Sequence, residues 1–161
     1  MRYILILCLN VFLFASNSYD FDEYKFVSAA SATFKQSGNI AFQKSKTIIT
    51  YSQPKYKKII SDGTDITIEG KSGKTYKLKG KGLFYTKLFI DVMARLGDTK
   101  SLKTSRDFSL TKQKNLYVVE FTNEIKDQVL KAEVELKKSK VRSFKLFMKN
   151  GDTLEIVKLP R

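Results

Sequence analysis

The side chains that could carry out chemistry are few, and their spacing does not assemble them. No histidine occurs anywhere in the 161 residues, which removes the commonest general base and the commonest metal ligand together. The single cysteine, Cys8, lies inside an apolar run near the amino terminus and is expected to leave with it, taking thiolate and disulfide chemistry away. Carboxylates remain. Asp62 and Asp152 stand at expected turns, where an aspartate helps the turn form, and Asp91 falls on the polar side of an expected helix. Glu120, Glu133, Glu135 and Glu155 alternate with apolar residues and so should face water. Ser72-Gly73-Lys74-Thr75 imitates the end of a phosphate loop, but no glycine stands at the required upstream spacing and no helix follows. It reads as a hairpin turn. No catalytic residue, metal or cofactor is assigned and no enzyme is expected; a Ser-Lys pair or a pair of carboxylates stays conceivable, but an envelope hydrolase built on them is discouraged by the missing histidine and cysteine.

The elements that would position a binding site are mostly strands. Tyr19 to Tyr24 is acidic and reads as a loose lead-in or a short helix. A first strand is expected over Val27 to Gln36, with Ala30, Ala32, Phe34 and Gln36 on one face, and Gly38 begins the return. Asn39 to Lys44 and Thr47 to Ser52 follow, the latter ended by Pro54, which donates no ladder hydrogen bond. Tyr56 to Ser61 stops at Asp62-Gly63, a pair suited to a turn with positive φ. Ile66 and Ile68 alternate in a fifth strand, and Ser72-Gly73 turns the chain into Lys74 to Lys79. From Leu83 to Leu96 the period changes: Tyr85, Leu88, Phe89, Val92, Met93 and Leu96 recur every three or four residues, which predicts an amphipathic helix closed by Gly97. Strands resume at Asp107 to Lys112 and Asn115 to Thr122. A helical turn is expected within Asn123 to Leu130. Lys131 to Lys137, Val141 to Lys149 and Asp152 to Leu159 complete the chain, the last two joined by an Asn150-Gly151 hairpin. The total is ten or eleven strands and one helix, a mainly β (α+β) chain of a single domain.

Residues Met1 to Ser18 read as a secretory signal, with Arg2 at the start, an apolar run from Tyr3 to Phe14 and a small-residue exit. Cleavage is expected near Ser18, leaving an exported domain over 19–161. The run is too short for the ~20 residues that span a bilayer. The 30 Lys and Arg outweigh the 16 Asp and Glu for a net charge of +14. Such a field favours acidic partners. Nucleic acid is not expected for an exported chain, and the lysines are scattered, densest at Lys55-Tyr56-Lys57-Lys58 and Lys137-Lys138-Ser139-Lys140. Solvated strand faces account for most of them; anionic head groups or an acidic protein surface are the functional alternative.

Alternate strand residues turned inward are Phe34, Ile40, Phe42, Ile49, Tyr51, Ile66, Ile68, Val134, Leu136, Phe144, Leu146, Met148, Leu154 and Ile156. Each is first a core candidate, because a domain of this size needs a filled interior. Composition alone does not choose between core and ligand contact.

A resemblance does. Ala32-x-Phe34-x-Gln36, then Gly38-x-Ile40-x-Phe42, then Tyr51 and Pro54, then Ile60-Ser61-Asp62-Gly63, resemble in order and spacing the amino-terminal part of the LolA family of periplasmic lipoprotein carriers. Leu83 to Gly97 and the surroundings of Gly151 are similar more loosely. The resemblance implies a curved antiparallel sheet forming an incomplete β-barrel with a helical lid, and a cavity for acyl chains lined by the strand residues above, except Leu154, together with Tyr85, Leu88, Phe89, Val92 and Met93 of the helix. It further implies a monomer that takes lipidated proteins from an inner-membrane releasing complex to an outer-membrane acceptor. Two positions depart from the family: Lys44-Ser45 stands where Arg-Pro is usual, and Ile49 where Trp is usual. In relatives that arginine latches the lid; Lys44, at the same place, lacks its planar fork of donors, so a weaker latch is expected. Binding of free phospholipid or glycolipid, or sensing of misplaced envelope lipoproteins, is the alternative on the same fold.

Overall fold

The computed structural model describes residues 17–80, 82–83, 86–87, 89–90, 93, 108–122, 124–138 and 140–160. Their eleven strands are β1 (Asn17–Val27), β2 (Ala32–Phe42), β3 (Thr47–Gln53), β4 (Lys57–Ser61), β5 (Ile66–Gly70), β6 (Thr75–Lys77), β7 (Phe108–Gln113), β8 (Leu116–Phe121), β9 (Val129–Lys137), β10 (Lys140–Met148) and β11 (Thr153–Lys158). All belong to one sheet in the order β6-β5-β4-β3-β2-β1-β11-β10-β9-β8-β7. Every neighbour pair is antiparallel. The first strand therefore zips to the last in the middle of the sheet, and two meanders run outward from that seam. β6 and β7 are the two edges, so the barrel stays open. Between them in sequence, the described residues among 80–93 are helical.

Three expectations near the amino terminus are corrected. Tyr19 to Tyr24 is neither lead-in nor helix but half of β1, paired along its whole length with β2 and over Phe21 to Phe26 with β11. Its acidic look misleads because Asp20 and Asp22 sit on the outward side while Tyr19 and Phe21 are buried. The strand expected from Val27 to Gln36 is broken: β1 ends at Val27, a 3-10 turn covers Ser28–Ala30, and Ser31 takes a left-handed φ of 46°. Asp152 fixes this corner by accepting the Ser28 N–H at 2.8 Å. Nor does Gly38 begin a return. It lies inside β2, paired with Phe21 on one side and Tyr51 on the other.

Elsewhere the elements follow the sequence closely. Asp62 Oδ1 accepts the N–H groups of Thr64 and Asp65 at 2.9 and 2.7 Å, closing the β4–β5 hairpin with Gly63 at φ 92°. The helical turn before β9 is a 3-10 segment, Glu124–Asp127. Opposed residues share a face of the sheet, and this sets the core. One row runs Ile68, Ile59, Ile49, Ile40, Tyr19; another runs Tyr117, Val134, Phe144, Ile156, Glu23. These rows face the helix, from which Ile90 and Met93 are buried in the same cluster.

Candidate functional site

Most of the residues expected to line an acyl-chain cavity lie on the inward face of the sheet, beneath the helix, where they pack on one another as a core. Ile40, Ile49, Tyr51, Ile66, Met93, Val134, Phe144, Leu146 and Ile156 are buried in one cluster, with Phe42, Ile68, Phe89, Leu136, Met148 and Leu154 packed against it. Phe34 is a correction: it is 53% exposed. It is the third residue of β2, next to the Ser28–Ala30 corner and opposite the exposed Lys25. Tyr85, Leu88 and Val92 lie outside the described residues, as do Met1 to Ser16.

Several buried residues escaped the sequence reading. Tyr19, Phe21 and Glu23 were hidden by the acidic context of β1, although Tyr-x-Phe-x already has the period of a strand. Ile90 belongs to the helix stripe one position away from Phe89, and Ile59 is part of an Ile59-Ile60 pair whose inward member periodicity alone does not settle.

Gly38 explains how the centre of this face closes. A β-carbon there would stand 2.6 Å from the Thr50 carbonyl oxygen and 3.0 Å from Phe21 Cζ. The vacancy lets Phe21 and Tyr51, its two cross-strand neighbours, meet edge to face at 5.6 Å. Beyond them the Tyr51 hydroxyl donates to Glu23 Oε2 at 2.6 Å, and Lys57 Nζ lies 4.2 Å from the Tyr51 ring centre. Burial first, and Glu23 second, push the Tyr51 hydroxyl well above the usual tyrosine range, so it remains a donor.

The helix is fastened to this face from β1. Tyr19 donates its hydroxyl to the Met93 carbonyl oxygen at 2.6 Å. That carbonyl is thereby satisfied without water, and burial raises the Tyr19 hydroxyl out of any titrating range. Lys44 is exposed in the β2–β3 turn and, among the described residues, makes no ion pair. Its place is nevertheless beside the helix. A cleft of about 340 Å³ opens at the rim between the β2–β3 turn (Gln43 to Thr47), the β4–β5 turn (Ser61 to Gly63) and the helix residues Lys87 and Ile90.

Among the described residues there is no group of three or more metal-ligating side chains and no helix long and apolar enough to cross a membrane. Glu133, Glu135 and Glu155 are on the outer side, paired with Lys131, Arg142 and Lys145.

No family model matches the chain, and no curated protein matches its sequence. Among solved structures it is similar to a LolA superfamily protein from Nitrosomonas europaea, at 8% identity and a TM-score of 0.42, over 89% of this chain and 83% of the other. It is also similar to a DUF1329 family protein from Desulfovibrio piger, at 11% identity and a TM-score of 0.44, over 89% and 84%. What the interior can bind follows from its own residues.

Proposed function

We propose that the protein is a non-enzymatic periplasmic carrier that shelters the acyl chains of lipidated proteins between its concave sheet and its helix, on the way from the inner to the outer membrane. One observation carries this reading: a continuous apolar face spans the seam of an unclosed sheet and is covered by a helical segment. Exposing acyl chains to water costs ~0.8 kcal/mol per methylene, so a long chain costs on the order of 10 kcal/mol and needs shelter to cross an aqueous space. With the helix down, Ile40, Ile49, Phe144 and Ile156 touch only protein; loading requires the helix to lift and the chains to replace its contacts. An apolar lining of isoleucines with the polarizable Met93 and Met148 gives such exchange little directional preference, which suits handover. The partners are then a releasing complex at the inner membrane and an acceptor at the outer membrane.

The test incubates the purified protein with membranes that hold lipoproteins and their release machinery. A soluble complex of carrier and lipoprotein is expected; lipoproteins that stay with the membrane overturn the reading. Lys44 in place of the family's arginine, beside a basic rim, favours free lipid as a second cargo. Native mass spectrometry of the protein taken from its own envelope separates the two by mass.

A further inference from the structure

The rim cleft carries a different chemistry from the interior it adjoins. Lys44 and Lys46 reach it from one turn and Lys87 from the helix. None of the three is engaged in an ion pair among the described residues, although five other cations of the chain are. The Ser45 and Thr47 hydroxyls line the same space, and Ile90, buried in the core cluster, forms its inner wall. One anion faces them, Asp62, whose Oδ1 accepts the backbone N–H groups of Asp65 and Thr64; against three lysines it leaves the cleft with an excess of positive charge. Three lysines from two elements thus line one cleft together with two hydroxyl-bearing residues, a local excess of positive charge that a bound anion would offset.

We infer that this cleft binds a phosphate-bearing anion. Phosphate fits the donor set: several oxygens on one centre take separate point-charge donors from separate directions, which three lysines supply and a single carboxylate does not use fully. The Ile90 wall makes a phosphate carried on a glycerol or acyl stem compatible with the same place. The inference stands apart from acyl cargo, because the cleft and its charges exist with the helix down.

The experiment titrates the purified protein with inorganic phosphate and, separately, with short-chain phosphatidylglycerol below its micelle concentration, by calorimetry at low salt. Two triple variants of equal net charge are compared. One is Lys44→Gln, Lys46→Gln and Lys87→Gln; the other is Lys71→Gln, Lys74→Gln and Lys137→Gln, all exposed and outside the cleft. Thermal melts check that each triple folds. Affinity is expected to fall about tenfold or more in the first triple and less than about twofold in the second. Tighter binding of phosphatidylglycerol than of phosphate marks a lipid head group as the source, and equal binding marks the free ion; either supports the site. Equal loss in both triples overturns it, as does the absence of saturable binding of either probe to the parent protein. Failure here leaves the lipoprotein-release assay unaffected, so the two readings fall separately.

Discussion

At the scale of single residues, the centre of the sheet depends on one missing side chain and one buried hydrogen bond. Gly38→Ala places a methyl against the Thr50 carbonyl and the Phe21 ring. Overpacking of this kind costs about 1–3 kcal/mol, read as a fall in the urea midpoint at unchanged slope. Tyr51→Phe leaves the Glu23 carboxylate buried without its donor and is expected to cost about 1–3 kcal/mol. Combining it with Glu23→Leu removes both polar partners and should recover most of that loss, a coupling that a double-mutant cycle measures. On the outer face the Lys35 ammonium, and then the Ser37 hydroxyl, hold the Asp22 carboxyl below the usual carboxylate range. A depressed folded value means that the stability Asp22 contributes is complete above its unfolded pKa of about 3.9 and is lost as pH falls through the lower folded value. Asp22→Asn should therefore lower stability slightly at neutral pH, where the contribution is complete, and flatten the acid limb, so that the variant and parent profiles converge below about pH 4.

Among the elements, the helix is the part that must yield, and β1 is the part that holds it. Tyr19→Phe keeps the ring in the core but deletes the donor to the Met93 carbonyl, a net loss of about 1 kcal/mol. Amide exchange should quicken in the helix while β1 and β2 keep their protection, because the deleted bond joins the two elements and not the strands to one another. Elements were legible in the sequence where a single period ran between turn residues: β3 to β6, the Asp62-Gly63 and Asn150-Gly151 hairpins and the return strands β8 to β11. They were not legible where burial contradicted local character. Asp20, Asp22 and Glu23 made β1 look solvated, although its register puts Tyr19 and Phe21 into the core. Gly38 looked like a turn because its reason is tertiary, the space taken by Phe21 from another strand. Most of the interior was readable as alternation, but neither the rim cleft nor the Tyr19 fastening was, since each joins residues far apart in the chain.

For the whole molecule, the pairing of β1 with β11 joins two meanders into one sheet whose edges, among the described residues, are β6 and β7. An open sheet with an apolar face covered by a helical segment, to which Tyr19 of β1 donates a hydrogen bond, is the arrangement on which the carrier account rests. Its central claim is that acyl chains enter between roof and sheet. The most direct measurement loads the protein with a long-chain fatty acid bearing a photoactivatable diazirine near the chain end, irradiates it, and maps the adducts by mass spectrometry. The account predicts labels on inward residues such as Ile40, Ile49, Phe144, Ile156 and Met93. Labels confined to the outer face, or none at all, would contradict it.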